Sequence, residues 1–75
     1  MYKKGATNMK IKVKDEFITL GQLLKVTDWI SSGGEAKFAV KQIHITVNGE
    51  NEDRRGRKLR SNDIVKIEDK TYELE

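Results

Sequence analysis

Ser31-Ser32-Gly33-Gly34-Glu35-Ala36-Lys37-Phe38-Ala39-Val40-Lys41-Gln42-Ile43-His44-Ile45-Thr46-Val47-Asn48-Gly49 contains the change of period on which the fold turns. Ala36, Ala39, Val40 and Ile43 recur at helical spacing and predict a helix with one buried stripe. From Ile43 the period drops to two, as Ile43, Ile45 and Val47 alternate with His44 and Thr46, which is the pattern of a half-buried strand. That strand runs into Asn48-Gly49, whose residues accept the left-handed backbone of a tight hairpin. Upstream, Ser32-Gly33-Gly34-Glu35 has the form of a capping box, in which hydroxyl and carboxylate satisfy helix-start amides reciprocally. The alanines of the stripe are small enough to let another helix approach closely.

That other helix is predicted from Thr19-Leu20-Gly21-Gln22, a second capping box, with Ile18 and Leu23 spaced as a hydrophobic staple. Leu20, Leu23, Leu24 and Thr27 continue its stripe. A helix extended further would turn Trp29 away from the leucines, so it is expected to stop near Asp28 and let the indole enter the core. Before it, Met9, Ile11 and Val13 alternate with Lys10, Lys12 and Lys14, a strand with a lysine face. Solvation of an edge strand, or pairing with Tyr72-Glu73-Leu74-Glu75, whose alternation is complementary in charge, is the preferred reading of these lysines over a nucleic-acid surface. Residues 1–8 lack periodicity and read as a mobile tail, leaving 9–75 as a single domain.

Downstream of the hairpin lies Arg54-Arg55-Gly56-Arg57-Lys58-Leu59-Arg60, with five cations in seven residues. Residues 15–53 hold seven acids against three lysines, so the basic character is a patch. Such a cluster repels itself unless an anion sits on it, and phosphate is the expected anion. Lys37 and Lys41, one turn apart on the flank of the second helix, either grip two more phosphates or stand as a solvated pair. Leu59 is expected to anchor the run, with Asn48-Gly49 and Asn62-Asp63 turning the chain at its two ends. Ile64-Val65-Lys66-Ile67-Glu68 is a further strand, and Asp69-Lys70 turns the chain into the last one. Phe38 points away from the buried stripe and is either free to stack or covered by another segment.

With 75 residues and a net charge of +3, the chain bounds its function class. One small domain has little room for an enclosed pocket. The absence of cysteine removes disulfides and thiolate metal sites. A single histidine, His44, is read as a surface residue, and no set of nucleophile, base and acid is in evidence, so the chain is not expected to be an enzyme or to hold a cofactor. No apolar run reaches the length of a signal core or a membrane span, and the reading is of a cytosolic protein without membrane partners.

A helix, a Ser/Gly break, a second helix carrying Glu35-Ala36-Lys37, then Ile45-Thr46-Val47-Asn48-Gly49 and Asn62-Asp63-Ile64-Val65 together resemble the S4 domain, an RNA-binding module. The stretches Gly33-Gly34-Glu35-Ala36-Lys37-Phe38 and Arg54-Arg55-Gly56-Arg57-Lys58-Leu59 are most similar to its small stand-alone bacterial members of the YaaA and YbcJ type. The resemblance implies an α+β fold of the S4 (alpha-L) type: two packed helices against a small, strongly bent antiparallel sheet of three to five strands. It also implies binding of structured RNA, with ribosomal RNA or an assembling ribosomal particle as partner; the chain is expected to act as a monomer. Lys37 and Lys41 match basic positions of the family. Thr19, Gly33 and Phe38 stand where many members have cations, which moves the expected weight onto Arg54, Arg55, Arg57, Lys58 and Arg60.

A second class of function is a protein-docking domain whose basic loop meets an acidic partner. The order of strand, helix and Val47-Asn48-Gly49-Glu50 is also similar to ubiquitin-like sulfur carriers. Those carriers need a C-terminal Gly-Gly, whereas this chain ends Tyr72-Glu73-Leu74-Glu75, which argues against carrier chemistry.

Overall fold

The computed structural model describes residues 8–75. The tail expected over 1–8 lies outside them except for Asn8, which opens the first strand. Seven strands and two helices follow in the order β1 (Asn8–Ile11), β2 (Ile18–Thr19), α1 (Leu20–Val26), α2 (Ala36–Gln42), β3 (Ile45–Val47), β4 (Glu50–Asn51), β5 (Lys58–Leu59), β6 (Ile64–Ile67) and β7 (Lys70–Leu74). A short 3₁₀ turn, Gly33–Glu35, leads into α2. The main sheet has the order β1-β7-β6-β3-β4, and β2 pairs with β5 in a separate two-stranded ladder.

The α1 start forms as its residues dictate. The Gln22 amide donates to Thr19 Oγ1 at 3.2 Å and the Thr19 amide to Gln22 Oε1 at 2.9 Å, completing the capping box. At its other end Asp28 takes the left-handed conformation, with φ of 68°. The Trp29 amide then donates to Leu24 O and the Asp28 amide to Lys25 O, a Schellman closure of the last turn. That reversal brings Trp29 inward, where it packs on the core and its Nε1 donates to Tyr72 Oη at 3.0 Å.

Leu20, Leu23 and Leu24 of α1 and Ala36, Ala39 and Val40 of α2 are buried with Ile45, Val47, Leu59, Val65, Ile67, Tyr72 and Leu74. The core therefore lies between the helix pair and one face of the sheet. Gly21 sets how closely the helices meet, since a Cβ there would lie 3.2 Å from Ala36 Cβ. The Asn48-Gly49 hairpin forms with φ of 52° and 89°, and Asn62 is left-handed at φ 79°. Both turns were legible as such because asparagine and glycine are the residues that accept this backbone at least cost.

Two expectations need correction. The sheet is mixed rather than antiparallel, because β1 joins β7 in parallel, with Met9 opposite Tyr72 and Lys10 opposite Glu73. The pairing of the chain ends is as expected, but the regular strand stops at Ile11. Ser32 does not cap through its side chain either. The chain tightens into the 3₁₀ turn first, and Glu35 Oε1 accepts instead from the Ser31 amide at 2.8 Å.

Candidate nucleic-acid interface

The basic run is a closed loop. At its base the two flanking turns bond to each other: the Asn48 amide donates to Ile64 O at 2.7 Å, the Ile64 amide to Asn48 Oδ1 at 2.9 Å, and Asn48 Nδ2 to Asp63 Oδ1 at 3.1 Å. Leu59 is fully buried and pairs with Ile18 across the small ladder, so the expected anchor exists. At the other end the loop lies on the start of α1, where the Leu20 amide donates to Arg57 O at 2.9 Å and the Gly21 amide to Arg55 O at 2.8 Å. These bonds satisfy two helix-start amides that α1 cannot satisfy itself. The third is taken by Thr19, so the loop and the capping box together finish the helix.

Inside the loop sits a buried carboxylate. Glu52 is 7% exposed and each of its oxygens accepts two hydrogen bonds. Oε2 receives the Arg54 amide at 3.0 Å and Arg54 Nε at 2.8 Å; Oε1 receives Arg54 Nη2 at 3.1 Å and Arg57 Nη1 at 2.8 Å. The Arg54 fork holds the carboxyl well below its ordinary range, at about 2, with Arg57 adding to the effect and burial opposing it. The same pairing raises Arg54. The anion that relieves repulsion within the run is thus, in part, the protein's own. Arg54 keeps 72% of its side chain exposed while held in this geometry, whereas Arg57 is largely covered.

The other sequence-predicted cations divide between two places. Arg55 and Ala36 meet on either side of Gly21, which joins the loop to the start of α2, where Lys37 follows. Lys41 borders an open cleft of about 390 Å³ together with His44, Glu52 and Asp53. Lys37 and Lys41 are exposed, and Phe38 between them is 61% exposed with Lys37 Nζ 5.2 Å from its ring centroid. Phe38 is therefore uncovered, which resolves the two readings left open for it. Lys58 is exposed as well, with its Nζ over the Phe17 ring at 5.0 Å. Arg60 is exposed, and its amide donates to Asp63 Oδ2 at 2.8 Å. Among the described residues, Arg54 and Arg57 alone of the seven cations are ion-paired.

Glu52 is the residue that sequence reasoning missed. An acid among Glu50, Asn51 and Asp53 reads as part of a solvated polar stretch, and the one available signal was its place just ahead of a run of arginines. Among the described residues no group of three or more His, Asp or Glu side chains could hold a metal ion. No helix there is long and apolar enough to cross a membrane.

A family model for the S4 domain matches residues 11–75. The chain belongs to the S4 domain family. A relative from Bacillus subtilis (strain 168), bearing the name "Probable ribosome maturation protein RlbA", is 50% identical over 58 residues. Those residues make up 77% of this chain and 82% of the relative. Within the S4 fold, the helix pair, the small ladder and the loop on the α1 start bring Arg55 to the start of α2, where Lys37 follows, while Lys41 lies in the last turn of that helix.

Proposed function

We propose that this S4 protein binds structured RNA, and that its target is ribosomal RNA within a maturing ribosomal particle. The observation that carries the reading is the ordered basic loop: cations are displayed on a backbone fastened to α1, to the Asn48 turn and to Glu52. A fixed array of guanidinium and ammonium groups suits phosphates held at fixed spacing, as in a folded RNA, and arginine adds paired hydrogen bonds that lysine lacks. The name of the B. subtilis relative supports the ribosomal target.

In this mechanism Arg55 and Arg60 from the loop, Lys37 and Lys41 from α2, and Lys58 neutralise phosphates and release counterions. Arg54 and Arg57 act mainly to hold the loop on Glu52. Recognition is by shape, through phosphates and 2′-hydroxyls, since Trp29 and Tyr72 belong to the core and the exposed Phe38 does not by itself make a platform for successive bases. The protein acts as a cytosolic monomer and carries out no reaction of its own. Crosslinking in cells, followed by sequencing of the bound RNA, is expected to return ribosomal RNA clustered at few positions. Recovery of messenger or transfer RNA without ribosomal enrichment would refute the target.

A further inference from the structure

A second surface remains after the interface is assigned. Between the segment leading into α1 and the exposed α1 residues Gln22, Lys25 and Val26 runs an open groove of about 880 Å³. Lys10, Lys12, Lys14 and Lys25 line it against the two acids Asp15 and Asp28. Its walls also include Ile11, Val13 and Ile18, which pack on the core, and Val26, which is 60% exposed. The lysine-bearing wall is fixed to the C-terminal strand, because the Val13 amide donates to Glu75 O at 2.7 Å and the Glu75 amide to Ile11 O at 2.9 Å.

We propose that this groove docks an acidic amphipathic segment of a protein partner. An apolar floor rimmed by cations asks for a ligand with both characters, and an amphipathic helix offers apolar anchors at i, i+3 and i+4 with carboxylates on its flanks. A phosphate backbone would answer the lysines yet leave Val26 and its neighbours facing charge. The protein's own residues 1–7 carry Lys3 and Lys4 and no acid, so their charge does not match the site. None of Lys37, Lys41, Arg55 and Arg60 lines the groove, and Lys58 meets it only at its Phe17 wall, so RNA and protein can be held at once. The domain would then join a protein to the RNA it binds.

Fluorescence anisotropy with a labelled synthetic helix of leucine and glutamate at amphipathic spacing tests this directly. Polyglutamate of equal length and a single-stranded RNA oligonucleotide serve as the other two probes. The amphipathic peptide is expected to bind, and both Val26→Ser and the pair Lys12→Glu/Lys14→Glu are expected to weaken it about tenfold, the effect of losing one apolar contact or a matched charge pair. All three positions are exposed, so the variants should melt with the parent protein. Equal binding of polyglutamate, absence of peptide binding, or indifference to Val26→Ser would overturn the proposal. RNA binding that falls in both variants would assign the groove to nucleic acid instead.

Discussion

Replacing Glu52 with glutamine tests whether the basic loop is held by its internal anion. The carboxylate accepts four hydrogen bonds, two on each oxygen. A glutamine keeps one oxygen and turns an NH₂ donor toward two N–H donors, so at least two charge-assisted bonds are lost. The displacement of the carboxyl from 4.5 to about 2 corresponds to about 3 kcal/mol between its ionised and protonated forms, at about 1.4 kcal/mol for each pH unit. Because Arg54 is open to solvent over most of its length, screening reduces this to about 2 kcal/mol. For a domain of this size that corresponds to a fall in Tm of about 8–16 °C. The effect also has a pH signature. Glu52 titrates lower when folded than when unfolded, so its contribution is complete above pH about 4.5 and is lost as the pH falls toward about 2. Urea unfolding followed by Trp29 fluorescence at several pH values should therefore show the gap between parent and Glu52→Gln closing over that window. A gap below about 0.5 kcal/mol at neutral pH, or one independent of pH, would refute the reasoning.

Three further substitutions probe the frame around the site. Gly21→Val places its Cβ 3.2 Å from Ala36 Cβ and 3.4 Å from Arg55 O, and should cost about 2 kcal/mol in urea unfolding by prising the helices and loop apart. Tyr72→Phe removes the acceptor of the Trp29 indole N–H and should cost about 1 kcal/mol, with a shift in Trp29 emission. Asp28→Gly relieves a left-handed residue at φ 68° and should raise stability by about 0.5 kcal/mol, read as a higher urea midpoint.

Much of the fold was legible because its signals are local. The Thr19–Gln22 box, the Asn48-Gly49 hairpin, the left-handed Asn62 and the α1 and α2 stripes each depend on residues within one turn or hairpin. What was not legible depends on distant partners. The direction of β1 against β7 joins opposite ends of the chain, and the alternation of Met9, Ile11 and Val13 is the same for a parallel and an antiparallel neighbour. The β2–β5 ladder pairs only Ile18 with Leu59 and Thr19 with Lys58, too short a run to carry a period. At the site, charge density pointed to 54–60, but which cations are spoken for depends on Glu52 being buried. Lys58 likewise sits in the same run as Arg55 and meets a different neighbour, Phe17, because Arg55 lies in the turn of the loop whereas Lys58 is in β5, leaving the strand opposite the buried Leu59.

The loop thus combines two roles that pull in opposite directions: its backbone and Glu52 complete the fold, and its remaining cations are offered to a polyanion. The central claim is that these remaining cations meet RNA phosphates. It is tested most directly by binding a ribosomal RNA fragment over a series of salt concentrations, with the parent protein and with Arg55→Ala/Lys58→Ala/Arg60→Ala. Five contacts from Lys37, Lys41, Arg55, Lys58 and Arg60 predict a slope of log affinity against log salt of about −3.5 to −4.5, and loss of three should bring it to about −1.5. A parent slope near zero, or a slope that the triple substitution leaves unchanged, would contradict the account.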